Sequence, residues 1–119
     1  MMKRTRLVFL NALPLNSISL NRFYIDVRRI DIETMNYIVK KAKSTDSEIL
    51  NYIRHESTIR LINSLFGLNL SINPGLYQWQ EGDELLIITL KKPVRGQEAV
   101  EVTIDDLDMF YAYVSEVCY

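Results

Sequence analysis

The sequence predicts an α/β domain of the α+β kind, with a mixed sheet of about five strands flanked by two or three helices. The chain has 119 residues, which is enough for a single domain over residues 1–119. Its apolar content of 48% and charged content of 24% are ordinary for a globular protein. Segments with the two-residue period of strands alternate with segments of helical period, so both kinds of element are expected.

Two strands are predicted near the N-terminus. Residues 7–10 are all apolar, as in a strand buried on both faces. A loop is expected over residues 11–17, because Pro14 and two asparagines would interrupt a hydrogen-bonded ladder. Residues 23–28 alternate apolar and polar side chains, which predicts a half-exposed strand.

The first predicted helix begins after Asp31, a good N-cap residue. Lysines near its end complement the negative end of the helix dipole. Apolar side chains at helical spacing define its inner face: Ile32, Met35, Ile38, Val39 and Ala42. A polar connection and a short extended segment over residues 49–53 should follow.

A second, short helix is predicted just after His55, the only histidine of the chain. We expect Ser57 to be its N-cap and Gly67 to end it in the left-handed conformation. Its buried stripe should consist of Ile59, Ile62, Leu65 and Phe66. His55 would then lie at the mouth of the helix.

The following segment predicts a β-hairpin. Residues 69–75 are turn formers, residues 77–80 alternate, and residues 84–90 are largely apolar. The sequence Glu81-Gly82-Asp83 between the last two would be the turn of the hairpin.

The C-terminal part is predicted to contain one more helix and one more strand. Residues 91–98 form a basic loop with a proline and a glycine. Thr103 and Asp106 have the spacing of a capping box for a short helix that runs to Phe110. Residues 111–119 would be the closing strand.

Composition and missing motifs exclude several functions. A net charge of −1 argues against duplex DNA as a partner, since general DNA binders carry a basic face. The single cysteine, Cys118, permits no disulfide within the chain, and no apolar run is long enough to span a membrane. No metal-ligand cluster, P-loop, dinucleotide fingerprint or nucleophile elbow is found, so no cofactor is expected.

His55 is the main candidate for chemistry. The first N–H groups of a helix have no internal partners and attract anions, so a histidine there is placed to meet a phosphate. RNA phosphodiesters can be cut by their own 2′-hydroxyl, and one general acid can then protonate the leaving 5′-oxygen. The alternative, a surface histidine or one bonded to a nearby carbonyl, stays open.

Three segments resemble the viral ring nucleases, small anti-CRISPR proteins of archaeal viruses and some phages or mobile elements. Residues 53–67 are similar to the family motif I-G-H-D-S-T-x-x-L-(I/V)-N-(S/T)-L-x-G. Val8-Phe9-Leu10-Asn11-Ala12, with Asn16 beyond it, resembles the family's first strand and loop. Residues 81–88 resemble its second hairpin strand.

The resemblance implies a homodimer that binds cyclic tetra-adenylate across its axis and cuts it, without a metal, to linear di-adenylate. Such a protein counters type III CRISPR immunity in the cytoplasm of the infected host cell. By the same resemblance His55 is the general acid, and Lys92 or Arg95 stabilises charge. The implied ligand-binding residues are Asn11, Ala12, Asn16, Ser57 and Thr58, the last two through their backbone N–H groups, and Arg54, which the family does not share, could add a phosphate contact or crowd the site.

The chain departs from the family pattern at several positions. Arg54 replaces a glycine, and Pro74 follows Asn73 where the family has an arginine. Lys92 replaces an arginine and lacks its planar fork, while Arg95 occupies an acidic position. Two alternatives therefore remain: a cyclic-oligoadenylate-binding protein that does not cut, and a viral interaction or nucleic-acid-binding module with interface aromatics such as Tyr77 and Trp79.

Overall fold

The protein forms one α+β domain in the computed structural model, which describes residues 5–91 and 102–117. Five strands and two helices make up the described part, joined by two short 3₁₀ turns at Leu15–Ser17 and Ile104–Asp106. The elements are β1 (Arg6–Leu10), β2 (Phe23–Arg29), α1 (Ile32–Ser44), β3 (Glu48–Asn51), α2 (Glu56–Phe66), β4 (Glu84–Leu90) and β5 (Leu107–Glu116). The predicted fold class is confirmed.

The five strands form one mixed sheet in the order β2-β5-β4-β1-β3. β1 pairs in parallel with both β3 and β4, whereas β5 pairs antiparallel with β4 and β2. The carboxyl ends of β1, β3 and β4 therefore point to the same edge of the sheet. We call this the carboxyl edge.

Both faces of the sheet are covered. On one face α1 and α2 pack over alternate strand residues, including Leu7, Phe9 and Leu86. On the other face the core is closed by non-helical segments that contribute Ile18 and Tyr77. β1 is buried on both sides, as its apolar run predicts. No helix within residues 5–91 and 102–117 is long and apolar enough to cross a membrane.

The first helix agrees with prediction. The Oδ1 atom of Asp31 accepts a hydrogen bond from the backbone N–H of Thr34 at 2.8 Å, so Asp31 is its N-cap. Met35, Val39 and Ala42 are buried on its inner face. The half-exposed strand β2 is also confirmed, and its apolar residue Val27 is 52% exposed.

The second helix requires two corrections. Its N-cap is His55 and not Ser57, which lies inside the first turn. Leu65 is 41% exposed and does not belong to the buried stripe, because the helix turns it away from the sheet. Gly67 does end the helix, at φ 62° and ψ 41° in the left-handed region.

The predicted hairpin is wrong. Residues 77–80 form no strand, and β4 lies between β1 and β5, so both of its edges are already paired. The Thr103–Asp106 capping box is present, but it starts a 3₁₀ turn rather than a helix to Phe110. β5 then begins at Leu107 and ends at Glu116. Most of the predicted basic loop, from residue 92 onward, lies outside the described residues.

Candidate active site at the carboxyl edge

A hollow opens at the carboxyl edge where β1 and β3 end side by side. The last ladder contact is the hydrogen bond from the backbone N–H of Tyr52 to the carbonyl of Phe9, at 2.9 Å. Beyond this hydrogen bond β1 and β3 separate, and open sheets commonly bind ligands at such a place. The hollow has a volume of about 270 Å³. Its walls come from the loop after β1 (Asn11, Ala12 and Pro14), the connector after β3 (Tyr52 and Arg54) and residues 75–77.

The imidazole of His55 caps α2. Its Nδ1 atom accepts a hydrogen bond from the backbone N–H of Thr58 at 3.3 Å and lies 2.9 Å from Thr58 Oγ1. Because Nδ1 acts as an acceptor, the neutral ring carries its proton on Nε2. The ring is partly buried, and its position is fixed by two contacts to one residue.

Ser57 and Thr58 serve the helix rather than an open anion site. Both side chains are buried, with exposures of 8% and 3%. The Oγ atom of Ser57 accepts a hydrogen bond from Nη2 of Arg60 at 3.1 Å. The N–H of Thr58, which the sequence suggested would face a phosphate, is donated to His55 instead.

Arg54 bridges one opening of the hollow. Its guanidinium donates from Nη2 to the carbonyl of Gly75 at 3.3 Å, and its side chain is otherwise exposed. A hydrogen bond of this length at the surface is weak. Arg54 is therefore a weakly held cation at the border of the hollow.

A buried ion pair at the amino ends of β1 and β4 holds the side chain of Tyr77, which lines the hollow. Asp83 is 1% exposed and accepts hydrogen bonds from Arg6 Nε and Nη2, both at 2.9 Å, and from the hydroxyl of Tyr77 at 2.6 Å. Burial and the bond to Asp83 raise the pKa of Tyr77 far above its usual value. The hydrogen bond to Asp83 likewise raises the pKa of Arg6. Tyr77 thus turns its hydroxyl away from solvent and packs edge-on against Tyr52, with ring centroids 5.5 Å apart.

The structure brings together three of the predicted site residues: Asn11, Ala12 and Arg54 all line the hollow. His55 follows Arg54 directly but is not part of the lining. Asn16 is exposed in the first 3₁₀ turn, away from the lining. Lys92 and Arg95 lie outside the described residues, so their positions stay predictions.

Sequence reasoning missed four residues that shape this site. Arg6 and Asp83 act indirectly, by holding the lining residue Tyr77, and two asparagine side chains, Asn51 and Asn63, hold its outer wall. The sequence offered one signal for each asparagine: Asn63 is part of the family-like motif, and Asn51 is the polar residue at the end of a strand. Within residues 5–91 and 102–117, no group of three or more His, Cys, Asp or Glu side chains could hold a metal ion.

The comparisons with known proteins define the class. The model of the STIV B116-like family matches residues 7–114, from β1 to β5, and the chain belongs to this family. Its fold is similar to that of B116 from Sulfolobus turreted icosahedral virus, an archaeal virus, with a TM-score of 0.72 and 22% sequence identity. That match covers 93% of this chain and 99% of the viral protein. No curated protein matches the sequence.

Proposed function

We propose that the protein is a metal-independent ring nuclease that cuts cyclic tetra-adenylate to linear di-adenylate and so counters type III CRISPR immunity in an infected cell. The observation that carries the proposal is the placement of His55. A single imidazole, held rigidly at the N-terminus of α2, directly follows the cation that borders a hollow at the carboxyl edge. The resemblance of residues 53–67 to the ring-nuclease motif supports the same function.

The hydrogen bonds of His55 suit a general acid. In the neutral ring Nδ1 accepts from Thr58, and in the protonated ring an Nδ1–H can donate to Thr58 Oγ1 at the same 2.9 Å distance. A hydroxyl can fill either role, so this contact is kept in both states, whereas the hydrogen bond from the backbone N–H of Thr58 is made only by the neutral ring. Nε2 is then the atom that transfers the proton.

The reaction uses the ribose 2′-hydroxyl of the substrate, this acid, and solvent water as the proton acceptor. The 2′-hydroxyl gives its proton to water, and the 2′-oxygen forms a bond to phosphorus while the bond from phosphorus to the 5′-oxygen breaks. The proton from Nε2 goes to the leaving 5′-oxygen, and a 2′,3′-cyclic phosphate remains. A positioned general acid contributes roughly 10²- to 10⁴-fold to such a step. Once the guanidinium of Arg54 leaves the carbonyl of Gly75, it would attract the phosphate.

Size supports a site shared between two copies of the chain. A volume of about 270 Å³ lies below the range of roughly 300–1,000 Å³ typical of pockets for whole drug-sized ligands. One hollow therefore fits a single nucleotide unit of the ring. A ring with two-fold symmetry suits an isologous dimer, because each subunit can address one phosphate. Leu76, 78% exposed at the hollow, is an apolar side chain that a second copy would cover.

The sharpest test replaces His55 by asparagine. Asparagine is itself a good N-cap residue, and its Oδ1 can accept from Thr58 N–H as Nδ1 does, but it cannot donate a proton as an acid. We expect His55→Asn to fold and bind cyclic tetra-adenylate like the wild type while cleavage falls at least 100-fold. Product is measured by chromatography and affinity by calorimetry. Equal cleavage by both proteins would refute the catalytic role.

A cyclic-oligoadenylate-binding protein that does not cut is the second candidate. The observation in its favour is that helix capping alone accounts for a histidine at position 55. Tight binding without any product in the wild type, and equal affinity in His55→Asn, would select this function. If the wild type does not bind the messenger, both candidates fail.

A further inference from the structure

We infer that Asn51 is a positioning residue of the site, which sets the location of His55 through the backbone that precedes it. This inference rests on the proposed function for its catalytic readout. Asn51 lies at the last position of β3 and is 6% exposed. Its amide is therefore inside the protein, at the point where the chain leaves the sheet.

The side chain of Asn51 replaces the sheet ladder for the next residues. Oδ1 accepts from the backbone N–H of Ile53 at 2.9 Å, and Nδ2 donates to the carbonyl of Ile53 at 3.1 Å. Both backbone groups of Ile53 are thereby satisfied although β3 has ended, as buried backbone groups must be. Ile53 is 1% exposed and anchors the connector in the core. The connector from Asn51 to His55 thus has one fixed path.

The same amide also reaches the outer wall of the hollow. Nδ2 donates to the carbonyl of Ser71 at 2.9 Å, across to the segment of residues 68–76 that follows α2. Asn63 holds this segment separately, exchanging two hydrogen bonds with the backbone of Leu70 at 2.7 and 2.9 Å. Asn63 does not touch the connector. Asn51 is therefore a buried side chain that ties the connector of His55 to the wall, whereas the second such contact, from Arg54 to the carbonyl of Gly75, lies at the surface.

Two asparagines with different contacts give separable effects. Loss of Asn51 frees both the connector and the wall, so the imidazole loses its fixed direction. Misplacement by about 1 Å can cost on the order of 100-fold in rate. Loss of Asn63 frees the wall alone, which weakens binding more than it slows the chemical step.

The experiment compares Asn51→Ala and Asn63→Ala with Lys43→Met as the control. Nζ of Lys43 donates to the carbonyls of Phe66 and Gly67, at the opposite end of α2 from His55. Its removal also costs two side-chain hydrogen bonds to the backbone, one of them part-buried, but roughly 16 Å from the imidazole along the helix. For cyclic tetra-adenylate we expect Asn51→Ala to lower kcat about 10- to 100-fold. We expect Asn63→Ala mainly to raise KM, and Lys43→Met to change neither.

A second readout needs no ligand. His55 is the only histidine, so the nitrogen NMR spectrum of a labelled sample shows a single imidazole. We expect the wild type and Lys43→Met to show one tautomer, with Nδ1 unprotonated, and Asn51→Ala to show a changed or mixed tautomer. Asn51→Asp keeps the acceptor for the N–H of Ile53 but turns an oxygen toward the carbonyls of Ile53 and Ser71, so it should also change the spectrum and the rate. If Asn51→Ala does not fold, Asn51→Asp compared with Asn63→Asp decides the question.

An imidazole spectrum of Asn51→Ala identical to that of the wild type would overturn the inference, as would an unchanged kcat. If the wild type neither binds nor cuts cyclic tetra-adenylate, the proposed function fails and the imidazole spectrum alone judges the role of Asn51.

Discussion

Replacing Asp83 by asparagine tests how far the stability of the domain depends on one buried charge. The carboxylate accepts from Arg6 Nε and Nη2, from the hydroxyl of Tyr77, and from the backbone N–H of Gln80 at 3.0 Å. Asparagine has the same shape, but one acceptor oxygen becomes an NH₂ group and the negative charge is lost. One of these donors then faces another donor, and the guanidinium of Arg6 loses its opposite charge while it keeps the hydrogen bond to the carbonyl of Gln78.

The expected loss of stability follows from the burial of the pair. Removing one member of a buried ion pair costs about 3–5 kcal/mol, since the remaining charge stays desolvated. The side chain of Arg6 is 14% exposed, so water can rehydrate part of it, and we expect a value of about 3 kcal/mol, at the low end. For a domain of this size that lowers Tm by roughly 10 °C. Urea denaturation at pH 7 measures the free energy, and thermal unfolding gives Tm.

An exposed ion pair provides the matched control. Arg29 donates to Asp108 at 2.6 Å, yet the two side chains are 66% and 29% exposed. Asp108→Asn should therefore cost less than about 1 kcal/mol. If Asp83→Asn and Asp108→Asn lose the same stability, or if Asp83→Asn loses less than 1 kcal/mol, the reasoning from burial is refuted.

Three further predictions concern single side chains. His55→Ala should lower the free energy of unfolding by about 0.5–2 kcal/mol through loss of the cap, whereas His55→Asn should stay close to wild type; urea titration distinguishes them. Gly67→Ala should lower the free energy of unfolding by about 1–2 kcal/mol, because a residue with a Cβ is strained at a φ of 62°. No steric clash adds to this cost, since the new Cβ meets only Lys43 Nζ at 3.5 Å, and a loss under 0.5 kcal/mol would contradict the prediction. The raised pKa of Tyr77 stabilises the folded state fully below pH 10.0, the ordinary value, and less as pH rises above it, by about 1.4 kcal/mol per pH unit. Tyr77→Phe should remove that share of the alkaline slope, and an unchanged slope in pH-dependent unfolding would count against it.

The elements that the sequence predicted well are those with local causes. Asp31 and the apolar spacing after it specify α1, and Gly67 ends α2, because caps and periodicity act within one or two turns. β1 was predicted from four apolar residues, which only a strand covered on both faces can bury.

The failures concern partners that are distant along the chain. Tyr77 and Trp79 alternate with glutamines because one side of that segment packs on the core, but alternation does not reveal which backbone it bonds. The only ladder-like contact there is a hydrogen bond from Trp79 N–H to the carbonyl of Ser17, among the described residues. Likewise, Ser57 is the better N-cap by residue preference. His55 is the N-cap in the structure because its ring reaches the backbone N–H of Thr58.

The candidate site was predicted in part for the same reason. His55 and Arg54 adjoin in sequence, and Asn11 follows a strand that must end near them, so their proximity was within reach of a sequence argument. The contact between Asp83 and Arg6 was not within reach of such an argument. The two residues are far apart along the chain, and only the sheet topology brings them together.

The position of β1 in the sheet has a consequence for biosynthesis. β1 lies between β3 and β4 in the sheet, and both of these neighbours are synthesised after it. Until β4 is synthesised, one edge of the apolar strand β1 has no partner strand. The nascent chain therefore cannot complete its fold before its second half has been made. Topologies with such distant pairings fold slowly, and synthesis rather than local helix formation sets the order of assembly.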